Sequence, residues 1–139
     1  TFDRILAWEA DVQPASEIFK HVPAEVMNIL SYFNVPAIPD VDAPGNPLRI
    51  LASTTTVEDF VVIKIDVDND PVEMGFIQQI LTDTRISDRI DELYFEHHVT
   101  GSPLYWRGWH KEPVSMNITE SYALFTQLRE LGIRAHSWV

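Results

Sequence analysis

Two short runs of acids and histidines follow apolar segments and contain the side chains most suited to chemistry. Residues 66–70 read Asp-Val-Asp-Asn-Asp after the β-branched segment 60–65, and residues 96–98 read Glu-His-His after a second apolar segment. Carboxylates and imidazoles exchange protons in general acid–base catalysis and also bind divalent metals. These two runs are therefore the first candidates for a functional site.

The three aspartates of the first run alternate along the chain. In extended backbone, Asp66, Asp68 and Asp70 would face one way, and like charges held together are unfavourable unless a cation or a donor joins them. Mg²⁺ or Mn²⁺ would fit, with Glu73 reaching the same place from the next helix. Alternatively, the acids are solvated near a helix N-terminus, where the helix dipole favours them. A divalent metal therefore stays open, and no metal ligands are assigned.

The second run has the same alternation, so Glu96 and His98 share a face and His97 points away. If its strand neighbours the strand before Asp66, then His98 or His97 stands beside Asp66 or Asp68. The pair would act as a general base with its orienting carboxylate, or as mixed metal ligands. A histidine bonded to a loop carbonyl is the structural alternative. We predict Asp66, Asp68 and His98 as the catalytic residues.

A third acid follows the first apolar segment, residues 4–8. In a nucleotide-binding α/β fold, an acid at the position of Glu9 accepts hydrogen bonds from ribose hydroxyls. Glu9 could equally be solvated or favour the next helix through its dipole.

The elements that would position these residues alternate between strand and helix. Apolar and β-branched runs predict strands at residues 4–8, 48–52, 60–65, 90–99 and 133–139. Helices are predicted over residues 14–21, 71–81 and 119–131. A further helix is predicted after Pro23, with Val26, Ile29, Leu30 and Phe33 on one face. Thr55 and Glu58 have the spacing of a capping box for one short helical turn. This alternation favours an α/β, Rossmann-like, mostly parallel sheet with helices on both faces. Ligands would bind beyond the carboxyl ends of its strands.

Length and composition bound the remaining classes. The 139 residues, 45% apolar and 22% charged, predict one folded domain over residues 1–139. A net charge of −11 disfavours nucleic acid as a partner, and zero cysteines exclude disulfides and thiolate sites. No apolar run approaches the ~20 residues of a membrane-spanning helix. The compartment stays open between cytoplasm, organelle and export, since each can hold a protein without cysteine, and the start at Thr1 suggests a processed or incomplete chain.

The loop over residues 100–113 holds three large aromatic side chains, Tyr105, Trp106 and Trp109. They could cover a substrate, pack as a satellite core or contact another protein. His110 and His136 are given no role.

Four sequence blocks occur in a familiar order: Arg-Ile-Leu-Ala-Trp-Glu from Arg4, Thr-Thr-Val-Glu-Asp-Phe, Val-Ile-Lys-Ile-Asp-Val-Asp with Glu73 following, and Glu-Leu-Tyr-Phe-Glu-His-His. Together they resemble the FkbM-type S-adenosylmethionine-dependent methyltransferases. The segment from Lys64 to Glu73 is similar to that family's Lys-Ile-Asp-Val-Glu-Gly-x-Glu. The likeness extends from about Arg4 to the C-terminal strand.

The resemblance implies a class I methyltransferase-like fold that binds S-adenosylmethionine. Glu9 would grip the cofactor ribose, and the strand containing Lys64 and Asp66 would line the methyl-transfer cleft. Two departures are clear: Asn69-Asp70 replaces the family's glycine, and no glycine-rich turn precedes Arg4. In that family the first strand lies between the strand ending at Glu9 and the strand ending at Asp66. The expected fold is thus N-terminally incomplete unless upstream or other residues supply that strand.

Three functions follow from these readings. The first is a methyltransferase-like domain acting on an oxygen of a small-molecule or sugar-like acceptor. The second is a catalytically inactive accessory subunit whose partner is another protein in a larger assembly. The third is a metal-dependent transferase that uses Asp66-Val67-Asp68 to bind a nucleotide-sugar diphosphate.

Overall fold

Short parallel strands and helices alternate along the chain in the computed structural model, which describes residues 2–102 and 114–138. The elements are β1 (Ile5–Trp8), α1 (Ala15–Ile18), α2 (Ala24–Met27), β2 (Leu30–Phe33), α3 (Pro47–Thr54), β3 (Val62–Ile65), α4 (Asp70–Thr82), α5 (Thr84–Ser87), β4 (Glu92–Phe95), α6 (Ile118–Glu130) and β5 (Arg134–Ser137). This order confirms the predicted α/β class. The loop aromatics Tyr105, Trp106 and Trp109, and also His110, lie outside the described residues.

The described strands form two parallel sheets. β1 pairs with β2, and β3, β4 and β5 form a second sheet in that order. Parallel pairing is therefore confirmed, and the small sheets are compatible with a Rossmann-like fold. The described strands do not form one continuous sheet, because β1 and β3 each pair along one edge and no described strand joins them.

The main core packs around β4, the central strand of the larger sheet. Leu93 and Phe95 of β4 are fully buried, as are Ile77 of α4 and Leu128 of α6. Burying apolar side chains of this size stabilises the fold by about 1.5–3 kcal/mol each. The packing fixes the carboxyl ends of β3 and β4 relative to α4.

Local signals define the ends of the two long helices. Asn69 accepts a hydrogen bond from the Val72 N–H at the start of α4, and Asn117 forms a capping box with Glu120 at the start of α6. These caps satisfy N–H groups that lack intrahelical partners. The predicted boundaries of both helices hold to within one residue.

Gly132 ends α6 in the left-handed region, with φ of 91°. A Cβ added there would meet nothing within 4 Å, so the cost of a side chain is conformational rather than steric. We expect Gly132→Ala to lower the free energy of unfolding by about 1 kcal/mol. Gly132→Asn should lose less, because asparagine tolerates this conformation. Urea unfolding of both variants tests this, and equal losses would contradict it.

Three predicted elements differ in the structure. The predicted helix through Leu30 and Phe33 is wrong: α2 ends at Met27 and residues 30–33 form β2, because their alternating side chains suit pairing with β1. The predicted strand at residues 48–52 is also wrong, since Asn46 caps α3 and Pro47 opens it.

The helical turn predicted from Thr55 and Glu58 is instead a turn stabilised by hydrogen bonds between Thr56 and Asp59. The Asp59 side chain accepts hydrogen bonds from the Thr56 N–H, 2.7 Å, and the Thr56 hydroxyl, 3.0 Å. Residues 57–59 form a turn and bend rather than helix. In the part of the chain that the structure describes, no helix has the length and apolar character needed to cross a membrane.

Candidate functional site

The carboxyl ends of β3 and β4 lie side by side and carry the two acid-rich runs. Ile65 is paired with Phe95, and the Glu96 N–H donates to the Ile65 carbonyl at 3.0 Å. The chain therefore leaves both strands at the same edge, which puts Asp66 and Glu96 next to each other. We call the group of Asp66, Asp68, Glu73, Glu96 and His98 the strand-end cluster.

Asp66 and Glu96 form a hydrogen-bonded carboxyl pair. The bond to Glu96, and then the Lys64 ammonium, hold the pKa of Asp66 below its ordinary value. Burial, followed by the bond to Asp66 and the charges around it, raises the pKa of Glu96 to about 7. Glu96 thus carries the shared proton, which it gives up near neutral pH.

His98 completes this edge. Its imidazole is buried, with Nε2 lying 3.7 Å from Oε2 of Glu96 and 3.8 Å from Oδ1 of Asp68. The Asp68 side chain is 81% exposed, and its backbone is left-handed, with φ of 53°. A positive φ is uncommon for aspartate and turns the chain sharply between β3 and α4.

Glu73 lies in the first turn of α4 and is fully buried. Its Oε1 accepts a hydrogen bond from the Val67 N–H at 2.8 Å, whereas Oε2 has no hydrogen-bond partner within residues 2–102 and 114–138. Burial, together with the charges of Asp70, Asp68 and Asp66, raises the pKa of Glu73 to about 7. Glu73 is therefore a second carboxyl that titrates near neutrality.

His97 points away from this cluster, into the core. Its ring stacks on Phe95 with centroids 4.9 Å apart, and Nδ1 lies 2.9 Å from the Ser121 hydroxyl on α6. Burial lowers the pKa of His97. These contacts give His97 a structural role between β4 and α6.

The structure brings together Asp66, Asp68 and His98, the three residues predicted as catalytic. The predicted common face of Asp66, Asp68 and Asp70 is wrong, because the backbone turns at Asp68 and α4 begins at Asp70, which is buried. Lys64 is ion-paired with Asp66 at the end of β3.

Glu9 belongs to the other sheet, at the end of β1. Its carboxylate accepts a hydrogen bond from the Asp11 N–H at 2.9 Å, and its carbonyl accepts one from the Asn34 side chain. These contacts are local, and none joins Glu9 to the strand-end cluster.

Glu73 and Glu96 were not among the predicted catalytic residues, although their environments are the most perturbed. A sequence signal exists for Glu73: it lies three and four residues before Phe76 and Ile77, on the buried stripe of α4. An acid on an apolar helix stripe is unusual and marks a group whose ionised form is disfavoured. For Glu96, no local signal distinguishes it from an ordinary strand-end acid.

No family model, curated protein or solved structure matches the chain.

Proposed function

We propose that the chain is an S-adenosylmethionine-dependent methyltransferase-like domain that transfers a methyl group to an oxygen of a small-molecule or sugar-like acceptor. The proposal starts from the sequence resemblance centred on residues 64–73. Parallel strands separated by helices are compatible with it.

The division of the sheet between β1 and β3 carries this proposal. In the family that the sequence resembles, one further strand lies between the strand ending at Glu9 and the strand ending at Asp66. Among residues 2–102 and 114–138, β1 and β3 each pair along one edge only, and both are parallel to their partners. Leaving that strand out of the family's sheet would give this same pattern of two parallel sheets. Direct pairing of β1 with β3 in a single sheet would have argued against this proposal.

The residues present could bind part of S-adenosylmethionine, namely its ribose. Glu9 is partly exposed at the end of a parallel strand, where a carboxylate can accept hydrogen bonds from both ribose hydroxyls. Residues 1–44 contain no glycine, so these residues do not supply the glycine-rich turn. When bound, the cofactor would supply an electrophilic methyl group on its sulfonium. The chain's own part is to orient the acceptor and to remove its proton.

The strand-end cluster supplies proton acceptors for that task. An acceptor hydroxyl must lose its proton as the methyl group is transferred, and a base with a pKa near the working pH does this best. Glu96, with its pKa raised to about 7, has this property, while Asp66 and His98 lie beside it. We assign Glu96 as the proton acceptor and Asp66 as the group that tunes it.

Calorimetric titration of the full-length protein with S-adenosylmethionine tests the proposed function. We expect one-site binding and a rise in Tm, because a ligand that binds only the folded state stabilises it. Glu9→Gln should weaken binding about tenfold, equivalent to about 1.4 kcal/mol. Glu25→Gln, an exposed acid on α2, is the matched control and should leave binding unchanged. No heat and no thermal shift at millimolar cofactor would refute the proposal.

A second candidate is a non-catalytic accessory module, favoured by apolar side chains exposed after β2. Phe33, Val35, Ile38 and Val41 are all exposed within one short segment. Such clustering is typical of surfaces that contact other proteins. Size-exclusion chromatography of native extract separates the candidates, since migration as a lone monomer would exclude the accessory role.

A further inference from the structure

We propose that Asp68, Glu96 and His98 form a binding site for one divalent first-row transition-metal ion, with Mn²⁺ as the reference ion. The ligand atoms would be a carboxylate oxygen of Asp68, Oε2 of Glu96 and Nε2 of His98. This inference gives Glu96 a different role from that of proton acceptor in the proposed function, and binding of the metal alone decides it.

The distances within the cluster carry the argument. One ligand atom from each of the three residues lies within 4.8 Å of the other two. The His98 Nε2 to carboxylate distances of 3.7 and 3.8 Å exceed the length of a hydrogen bond. Two atoms bound to one ion at about 2.1 Å lie about 3 to 3.5 Å apart. The site therefore needs only a small contraction, and the exposed side chain of Asp68 is free to supply it.

Glu73, which is not one of the three proposed ligands, supplies a second observation within the strand-end cluster. Its side chain is fully buried, and Oε2 lacks a hydrogen-bond partner in the described part of the chain. The charges of Asp66 and Asp68 act on Glu73, and that of Glu73 acts on Glu96, so the carboxyl of Glu73 lies near these groups. A buried carboxylate oxygen without a donor is unfavourable unless a proton or a cation compensates it. A metal-bound water is a suitable donor for this oxygen.

The mixed ligand set selects the class of ion. Two carboxylate oxygens with one imidazole nitrogen suit Mn²⁺, Fe²⁺ or Zn²⁺, whereas Mg²⁺ and Ca²⁺ prefer ligand sets made only of oxygen. Three protein ligands leave further coordination positions for water or for a substrate oxygen. His98 is buried, which limits the positions that its ring can take.

The test is titration of the chelator-treated full-length protein with Mn²⁺, followed by calorimetry and by the electron paramagnetic resonance signal of the free ion. We expect one ion per chain, with Mg²⁺ binding at least tenfold more weakly. Asp68→Asn should weaken Mn²⁺ binding tenfold or more. Asparagine tolerates the left-handed backbone at this exposed position, so this variant should fold.

Asp88→Asn is the matched control. Asp88 is an exposed aspartate in the turn that precedes β4, at the opposite end of that strand from Glu96. Its substitution should leave Mn²⁺ binding unchanged. No Mn²⁺ binding at millimolar ion would overturn the proposal, as would equal affinity of the wild type and Asp68→Asn. Binding of Mg²⁺ as tight as that of Mn²⁺ would also overturn it, because the imidazole would then not be a ligand.

Discussion

Glu96→Gln is expected to lower the kcat of the proposed methyl transfer by about 10² to 10⁴-fold, the usual contribution of a general base. Glutamine keeps the size of the side chain and can still donate a hydrogen bond to Asp66. It cannot take up the proton from the substrate hydroxyl that receives the methyl group. The wild-type rate should rise with pH through an apparent pKa of about 7, as the Asp66–Glu96 pair loses its shared proton. The variant should lose this rise. Initial rates between pH 5.5 and 9 measure both effects.

The control for this experiment is Glu92→Gln, on the same strand. Glu92 lies at the start of β4 and is ion-paired with Arg134 at 2.9 Å, away from the strand-end cluster. Its substitution should leave the pH profile unchanged. If Glu96→Gln kept the wild-type profile, Glu96 would not be the proton acceptor, whereas cofactor binding would still report separately on the proposed function.

Glu73→Gln is expected to stabilise the protein at pH 8 by about 3 kcal/mol relative to the wild type, with little effect at pH 4.5. The pKa of Glu73 is raised from an ordinary 4.5 to about 7, so the folded state binds this proton more tightly than the unfolded state. Its contribution to stability is full below pH 4.5 and is lost as the pH rises through 7. Each unit of pKa difference corresponds to about 1.4 kcal/mol.

Urea unfolding of both proteins at pH 4.5, 6, 7 and 8 measures this dependence. The glutamine carbonyl can keep the hydrogen bond from the Val67 N–H that Oε1 of Glu73 accepts. Glu25→Gln, at an exposed position, should change stability equally little at every pH. Parallel pH curves for the wild type and Glu73→Gln would show that Glu73 is ionised in the folded protein at no unusual cost.

Much of the larger sheet could be predicted from sequence because its signals are local. The β-branched run before Asp66 identifies β3, the repeat of Phe76, Ile77 and Ile80 identifies α4, and Gly132 marks the end of α6. Each signal depends on residues within a few positions of one another, and the hydrophobic effect acts on that periodicity directly.

The smaller sheet was harder to predict from the sequence, because the local pattern there favours a helix whereas pairing with a distant segment produces a strand. Residues 26–33 fit one helical face, yet β2 forms because Leu30 and Tyr32 pair alongside β1. At α3, the Asn46 cap and Pro47 decide the structure of a segment whose apolar residues also suit a strand. Short apolar runs do not by themselves distinguish the two states.

The sequence by itself determined the parallel α/β class and the two long helices, and it predicted that His98 or His97 would lie beside Asp66 or Asp68 if their strands were neighbours. Only the tertiary structure decided that Glu73 and Glu96 titrate near pH 7, that Asp68 turns outward and that Glu9 belongs to a separate sheet. The reason is physical: a pKa depends on burial and on charges that the fold brings close, and strand pairing depends on partners distant along the chain.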